Sequence, residues 1–182
     1  MLYIMRHGLT DWNKEMRLQG QNDIPLNDDG IRMAKEASDL YKDVHFDIAF
    51  CSPMIRARQT AELLLAGRDV PIVYDDRLRE MCFGICEGIK DYRNPNTSPV
   101  SKFFLDPASY NGIEGGESLD DLFKRTGEFL DDKVYPLLSQ NKDVLIIGHG
   151  AMNSSIVCQI KNRSRNEFWD EGIENCRLLK LC

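Results

Sequence analysis

Long apolar runs are missing from this chain. No stretch approaches the roughly 20 residues needed to cross a bilayer. No basic N-terminal region leads into a long apolar segment of the kind that directs export. A positive balance of charge is missing too. The 23 Lys and Arg stand against 29 Asp and Glu, a formal net charge of −6. That argues against a surface made to bind nucleic acid. Internal repeats and low-complexity tracts are absent. Histidine is scarce, with three in all. Cys82 and Cys86 are spaced C-x3-C, but no second ligand pair has metal-like spacing, so no metal and no cofactor is expected. With no export signal, the six cysteines read as free thiols in a reducing compartment. The expectation is a cytoplasmic protein with neither a membrane nor a nucleic-acid partner. The oligomeric state is left open.

What is present fits an ordinary globular chain of 182 residues, 42% hydrophobic and 29% charged. Leu2 to Met5 reads as a buried strand. Asn27 is placed to cap a helix with Ile31, Ala34, Ala37 and Leu40 on one face. Phe46 to Cys51 reads as a second strand. Ser52-Pro53 then reads as an N-cap with proline at the first helical position, opening a helix to about Leu65. Ile72 to Tyr74 reads as a third strand. Residues 90–117 are rich in proline and glycine and read as a lid-like insertion, with a helical turn near Ser101 to Leu105. Ser118 caps a helix reaching Leu138. Val144 to Ile147 is a further buried strand, followed by a helix from about Ala151 to Ile160. Arg177 to Cys182 is a last strand at an edge. Alternating strands and helices predict an α/β fold. The expected form is a three-layer α/β/α sandwich around a mostly parallel sheet, with residues 1–182 as a single domain.

In such sheets, ligands bind beyond the carboxyl ends of the strands. The first strand ends in Arg6-His7-Gly8, and the last of the parallel set in Gly148-His149-Gly150. The second runs into Ser52-Pro53-Met54-Ile55-Arg56. Two histidines and two arginines would meet on one rim. A phosphate monoester carries roughly −1.5 to −2 charges and three strong acceptor oxygens. Guanidiniums grip such oxygens, helix N-termini add N–H donors, and a neutral imidazole can attack phosphorus.

The run from Leu2 to Asn13 resembles the opening signature of the histidine phosphatase superfamily, which includes phosphoglycerate mutases and many phosphatases. Leu9 stands where that signature usually has Glu. Leu18-Gln19-Gly20 with Asp23-Ile24-Pro25-Leu26 and Gly30 is similar to the family's next block. Ser52 to Ala61, Glu80 with Phe83-Gly84 and Glu87-Gly88, Gly115-Gly116-Glu117-Ser118, and Ile147-Gly148-His149-Gly150 resemble the others, in order.

The resemblance implies that His7 is phosphorylated and that Arg6, Arg56 and His149 bind the phosphoryl oxygens. It implies that Glu80 protonates the leaving oxygen and that Asn13 touches the phosphate. Phe83 would give Glu80 an apolar wall. Specificity is expected from Gln19, Gly20, Phe83, Tyr92 and Tyr110 around a small phosphorylated substrate, with sugar phosphates and α-ribazole phosphate among the candidates. The compact Glu80–Gly88 block, the modest 90–117 segment and the ending just after the last strand favour a phosphoric monoester hydrolase of the histidine acid phosphatase type. A phosphoglycerate mutase-type transferase and a noncatalytic phospho-ligand module are the alternatives.

Overall fold

A computed structural model describes residues 1–182. Five strands form one sheet: β1 (Leu2–Arg6), β2 (Ile48–Cys51), β3 (Ile72–Tyr74), β4 (Val144–Gly148) and β5 (Leu178–Lys180). Their order is β3-β2-β4-β1-β5, and only β5 runs antiparallel, at the edge beside β1. All five residues of β4 are buried, as expected for a central strand covered on both faces.

Residue parity divides the core. Ile4, Phe50, Val144 and Ile146 face one side, against Leu119, Leu122, Phe129, Met152 and Ile156. Met5, Ala49, Cys51, Leu145 and Ile147 face the other, against Ala34, Ala37, Ala57, Ala61 and Leu64. The first layer comes from α5 (Leu119–Phe129), α6 (Tyr135–Ser139) and α7 (Gly150–Ile160). The second comes from α2 (Asp28–Leu40) and α3 (Ile55–Leu64). Two short helices, α1 (Asp11–Lys14) and α4 (Ser101–Leu105), lie in the connections. The expected α/β/α sandwich is therefore present.

Local signals account for most boundaries. The Asn27 side chain accepts from Gly30 N at 2.9 Å and starts α2. Ser118 and Asp121 form a capping box at α5. A π turn at Leu130–Val134 joins α5 to α6. Pro136 follows it as the second residue of α6, and its ring and missing N–H break a regular ladder. Ser52 departs from expectation in part. Helix α3 begins at Ile55 with Met54 as its cap, and the Ser52 hydroxyl, which accepts from Met54 N at 3.3 Å, also meets His149. Within residues 90–117, Val100, Phe103 and Tyr110 are anchored in the larger core cluster.

The loop after β1 lies directly on the start of α2. A Cβ on Gly30 would collide with the carbonyl oxygen and the nitrogen of Leu9, and one on Gly8 would lie 2.7 Å from the Gly30 oxygen. Gly→Ala in an ordinary helix stabilises by up to about 1 kcal/mol. Here the sign reverses, because backbone cannot yield cheaply. Gly30→Ala is expected to destabilise the fold by about 1–3 kcal/mol. That lowers Tm by several degrees in a chain of this length, and thermal unfolding followed by circular dichroism checks it.

Candidate active site

The parallel register brings the strand ends together. Arg6 pairs with Gly148 and Cys51 with Ile147. His7 N donates to Gly148 O at 2.9 Å, and Ser52 N to Ile147 O at 3.0 Å. His7 and His149 thus become neighbours, with ring centroids 5.2 Å apart. Arg6, His7, Asn13, Gln19, Gly20, Arg56, Glu80 and Phe83 all line one pocket at this rim.

His7 is 2% exposed. Its Nδ1 lies 2.6 Å from Gly8 O. A carbonyl only accepts, so Nδ1 carries the hydrogen and Nε2 holds the lone pair. Burial, then Arg56 and Arg6, hold the His7 pKa well below the usual histidine value. The ring is therefore neutral at neutral pH, with a free nitrogen available as a nucleophile.

Arg56 is completely buried on α3. Nη1 donates to Asn22 O and Nη2 to Gly20 O, both at 2.8 Å, and Nε to His149 Nδ1 at 3.2 Å. Three of its five N–H groups are used. Burial lowers its pKa to about 10, so it remains charged. Gly20 adopts φ +52°, and a Cβ there would strike Glu87. Glu87 secures this loop by accepting from Gln21 N at 2.9 Å, Phe83 N at 3.0 Å and Asn22 Nδ2 at 2.7 Å.

His149 sits behind the pocket wall with no exposed surface. Because Nδ1 accepts from Arg56, Nε2 bears the hydrogen and donates to Ser52 Oγ at 2.7 Å. Burial, then Arg56, keep the pKa of this imidazole well below the usual value as well. In this arrangement its contacts orient Arg56, and its ring does not line the pocket.

Arg6 donates from Nη1 to Ile173 O at 3.3 Å, while its buried Nε has no protein partner. Asn13 Oδ1 accepts from Thr10 N at 3.0 Å, which leaves the amide nitrogen for a ligand. Thr10 also donates from its hydroxyl to Gln19 Oε1 at 2.9 Å. Glu80 lies at the start of α7. Its Oε1 accepts from Met81 N at 2.9 Å and Met152 N at 3.0 Å, and its Oε2 from Ala151 N at 3.2 Å. The carboxylate is thus held by three backbone donors, while Phe83 forms part of the same pocket wall. Behind it, Arg125 donates to the carbonyls of Arg77, Arg79 and Glu80 and pairs with Glu117, fixing the irregular segment that carries the carboxylate.

Tyr110 is a correction. It is absent from the pocket wall and lies 4% exposed against Phe103, ring centroids 5.0 Å apart. Burial pushes its pKa up to about 12. Tyr92 does line the pocket, with Arg17, Arg93, Phe104 and Trp169, which sequence reasoning missed. Arg17 and Arg93 carried no local signal, being charged residues in loops. Trp169 is far away in sequence and is brought to the site by packing on Phe103 and Phe104 and by its indole N–H, which donates to Phe103 O at 3.0 Å.

Comparison with known proteins agrees with this geometry. The protein is 33% identical over 179 residues to the uncharacterised phosphatase PhoE of Bacillus subtilis, covering 98% of this chain and 83% of that one. It is 31% identical to 2,3-bisphosphoglycerate-dependent phosphoglycerate mutase 2 of Gloeobacter violaceus, covering 97% and 82%. Phosphoserine phosphatase of Entamoeba histolytica, solved with 3-phosphoglyceric acid, superposes with a TM-score of 0.80 at 26% identity, covering 97% and 87%. No helix is long and apolar enough to cross a membrane. The family model for branch 1 of the histidine phosphatase superfamily matches residues 2–182, and the chain belongs to that family.

Proposed function

We propose that this protein is a phosphomonoesterase acting on a small phosphorylated metabolite through a phosphohistidine on His7. The observation that carries the reading is the His7 ring. Nδ1 is fixed on Gly8 O, and Nε2 is left unprotonated in a pocket that also presents Arg6 and Arg56.

In the first step, His7 Nε2 donates its lone pair to phosphorus. The bond to the ester oxygen breaks, and its electron pair stays on that oxygen, which takes a proton from Glu80. Arg6 Nε and the two unused N–H groups of Arg56 hold the phosphoryl oxygens, with the Asn13 amide beside them. A bound phosphate is a like charge next to the Glu80 carboxylate, and a proton on Glu80 relieves that repulsion. In the second step, water attacks phosphorus, Glu80 takes its proton, and the P–N bond breaks to return neutral His7. His149 and Ser52 keep Arg56 in place through both steps. The guanidiniums supply the positive charge that stabilises the transferring group.

Hydrolysis is favoured over transfer because a cavity of about 640 Å³ adjoins the pocket and shares Arg6 and Gly150 with it, giving water a route. A mutase must keep water out. The test is phosphate release from a panel of phosphorylated metabolites, run with excess chelator. Hydrolysis that survives chelation is expected. Isomerisation of phosphoglycerates faster than any hydrolysis, or activity that a divalent ion restores after chelation, overturns the proposal.

A further inference from the structure

We infer that the outer part of the cavity carries a second anion subsite, built on Arg93 with Arg17, and that the preferred leaving group is planar and bears a carboxylate or a second phosphate. The orientation assumed, phosphate inward and leaving group outward, rests on the phosphomonoesterase reading.

Charge is the first argument. Four guanidiniums line the pocket, those of Arg6, Arg17, Arg56 and Arg93, against the single carboxylate of Glu80. A phosphate monoester brings roughly −1.5 to −2 charges. Arg6 and Arg56, at the histidine end, suffice for it, which leaves positive charge farther out. Arg93 is exposed and makes neither an ion pair nor a hydrogen bond within the chain. Its guanidinium rests 5.5 Å from the Phe104 ring and 5.8 Å from the Tyr92 ring. Arg17 is held ready. Its guanidinium lies 4.0 Å over Trp12, and Nε donates to Gly88 O at 2.9 Å.

Glu15 lies 3.6 Å from both Arg17 Nη1 and Lys90 Nζ, so it offsets part of the Arg17 charge and leaves Arg93 as the unpaired cation of the two. The other nearby carboxylates are engaged elsewhere. Asp91 accepts from Asn94 Nδ2 at 3.0 Å. Glu174, on the far side of the larger cavity, pairs with Arg177 at 3.0 Å. Burial is the main influence opposing the protonated form of Arg6, and the field of Arg93 adds to it. An anion placed between the two arginines relieves that smaller part.

The wall is the second argument. Arg93, Phe104 and Trp169 line both the inner pocket and the adjoining cavity of about 640 Å³. Phe104 and Trp169 are stacked at 5.5 Å and 15°, and Tyr92 lies 4.8 Å from Phe104. All three are half-buried and line the inner pocket, and Phe104 and Trp169 line the adjoining cavity as well. A flat ring gains most from such a wall, and a guanidinium on its rim selects an anionic substituent.

The test compares 4-(carboxymethyl)phenyl phosphate with its amide, 4-(carbamoylmethyl)phenyl phosphate. They share a phenol leaving group and differ by one charge. The expected kcat/KM ratio is about tenfold in favour of the acid, in line with a hydrogen bond to a charged group at a partly exposed site. Arg93→Gln should bring the ratio near one. Lys90→Gln, which removes the same charge from the same segment, should preserve it. A wild-type ratio near one, or a ratio that Arg93→Gln leaves intact, overturns the inference.

Calorimetric binding of the matching benzylphosphonates separates this subsite from the reaction. Tighter binding of the acid without hydrolysis of either ester keeps the subsite and removes the phosphatase reading. Hydrolysis of both esters with equal binding does the reverse. Equal binding of the trans-4-(carboxymethyl)cyclohexyl phosphonate and its aryl counterpart overturns the planar requirement.

Discussion

His7→Ala is expected to lower turnover by roughly 10⁴-fold or more, because it removes the atom that carries the phosphoryl group between the two steps. The loss should come without unfolding. His7 contributes one side-chain hydrogen bond, to Gly8 O, and its main-chain bond to Gly148 O survives the substitution. An unchanged circular dichroism spectrum checks that point. In the wild-type protein, a single-turnover reaction with a labelled ester, quenched in alkali, should leave acid-labile phosphate on His7. Label on a serine or a cysteine, or no label at all, removes the covalent mechanism.

The pH dependence has a definite sign. An unburied histidine gains its proton as pH falls through about 6.5, and a protonated ring cannot attack. Burial and two arginines push the His7 value well below this. The single-turnover phosphorylation rate should therefore hold as pH falls past 6.5, with loss from His7 protonation only at more acidic pH. A loss centred near 6.5 that the substrate's own ionisation does not explain contradicts the placement of His7.

The strand ends were legible because buried parallel strands announce themselves. Leu2–Met5 and Val144–Ile147 are unbroken apolar runs that stop at Arg6-His7-Gly8 and Gly148-His149-Gly150. Sequence order cannot give register, yet it is the pairing of Arg6 with Gly148 that makes His7 and His149 neighbours. Ser52 fits its expected capping role only in part, for a physical reason. Ser-Pro before a helix is a strong capping signal, and the hydroxyl does accept from Met54 N, but it also meets the buried His149 imidazole, and regular α3 starts at Ile55. Glu80 was legible through its neighbours, whereas the three backbone donors on its oxygens follow from the docking of its segment on α7. Tyr110 and Trp169 show the limit for aromatics. Composition cannot say which ring fills the core and which faces the cavity, and here the proline-rich segment buries the first and leaves the second at the wall.

Glu80→Gln should separate proton delivery from phosphate binding. General acid catalysis is worth about 10²–10⁴-fold, so kcat for alkyl phosphates, whose leaving oxygens depart poorly without a proton, should fall by that order. An activated aryl ester leaves with little protonation, and its phosphorylation step should slow far less. Structural damage would not discriminate in this way. Glutamine retains one acceptor oxygen for Met81 N and Met152 N but turns an amide group toward Ala151 N, and any resulting shift of the segment should slow both ester classes alike. Arg56→Ala is the contrasting variant. It removes charge from the transferring phosphoryl group whatever the leaving group is, so both classes should slow together. It also strands the carbonyls of Gly20 and Asn22, so Arg56→Lys, which keeps the charge and loses the fork, accompanies it. Lysine should recover part of the rate for both esters equally. Glu87 is the other carboxylate of this block, but its oxygens are committed to Gln21, Asn22 and Phe83. Glu87→Gln should therefore act through the Arg56 loop and slow both classes alike. If Glu80→Gln and Arg56→Ala share one leaving-group profile in the phosphorylation step, Glu80 is not the proton donor.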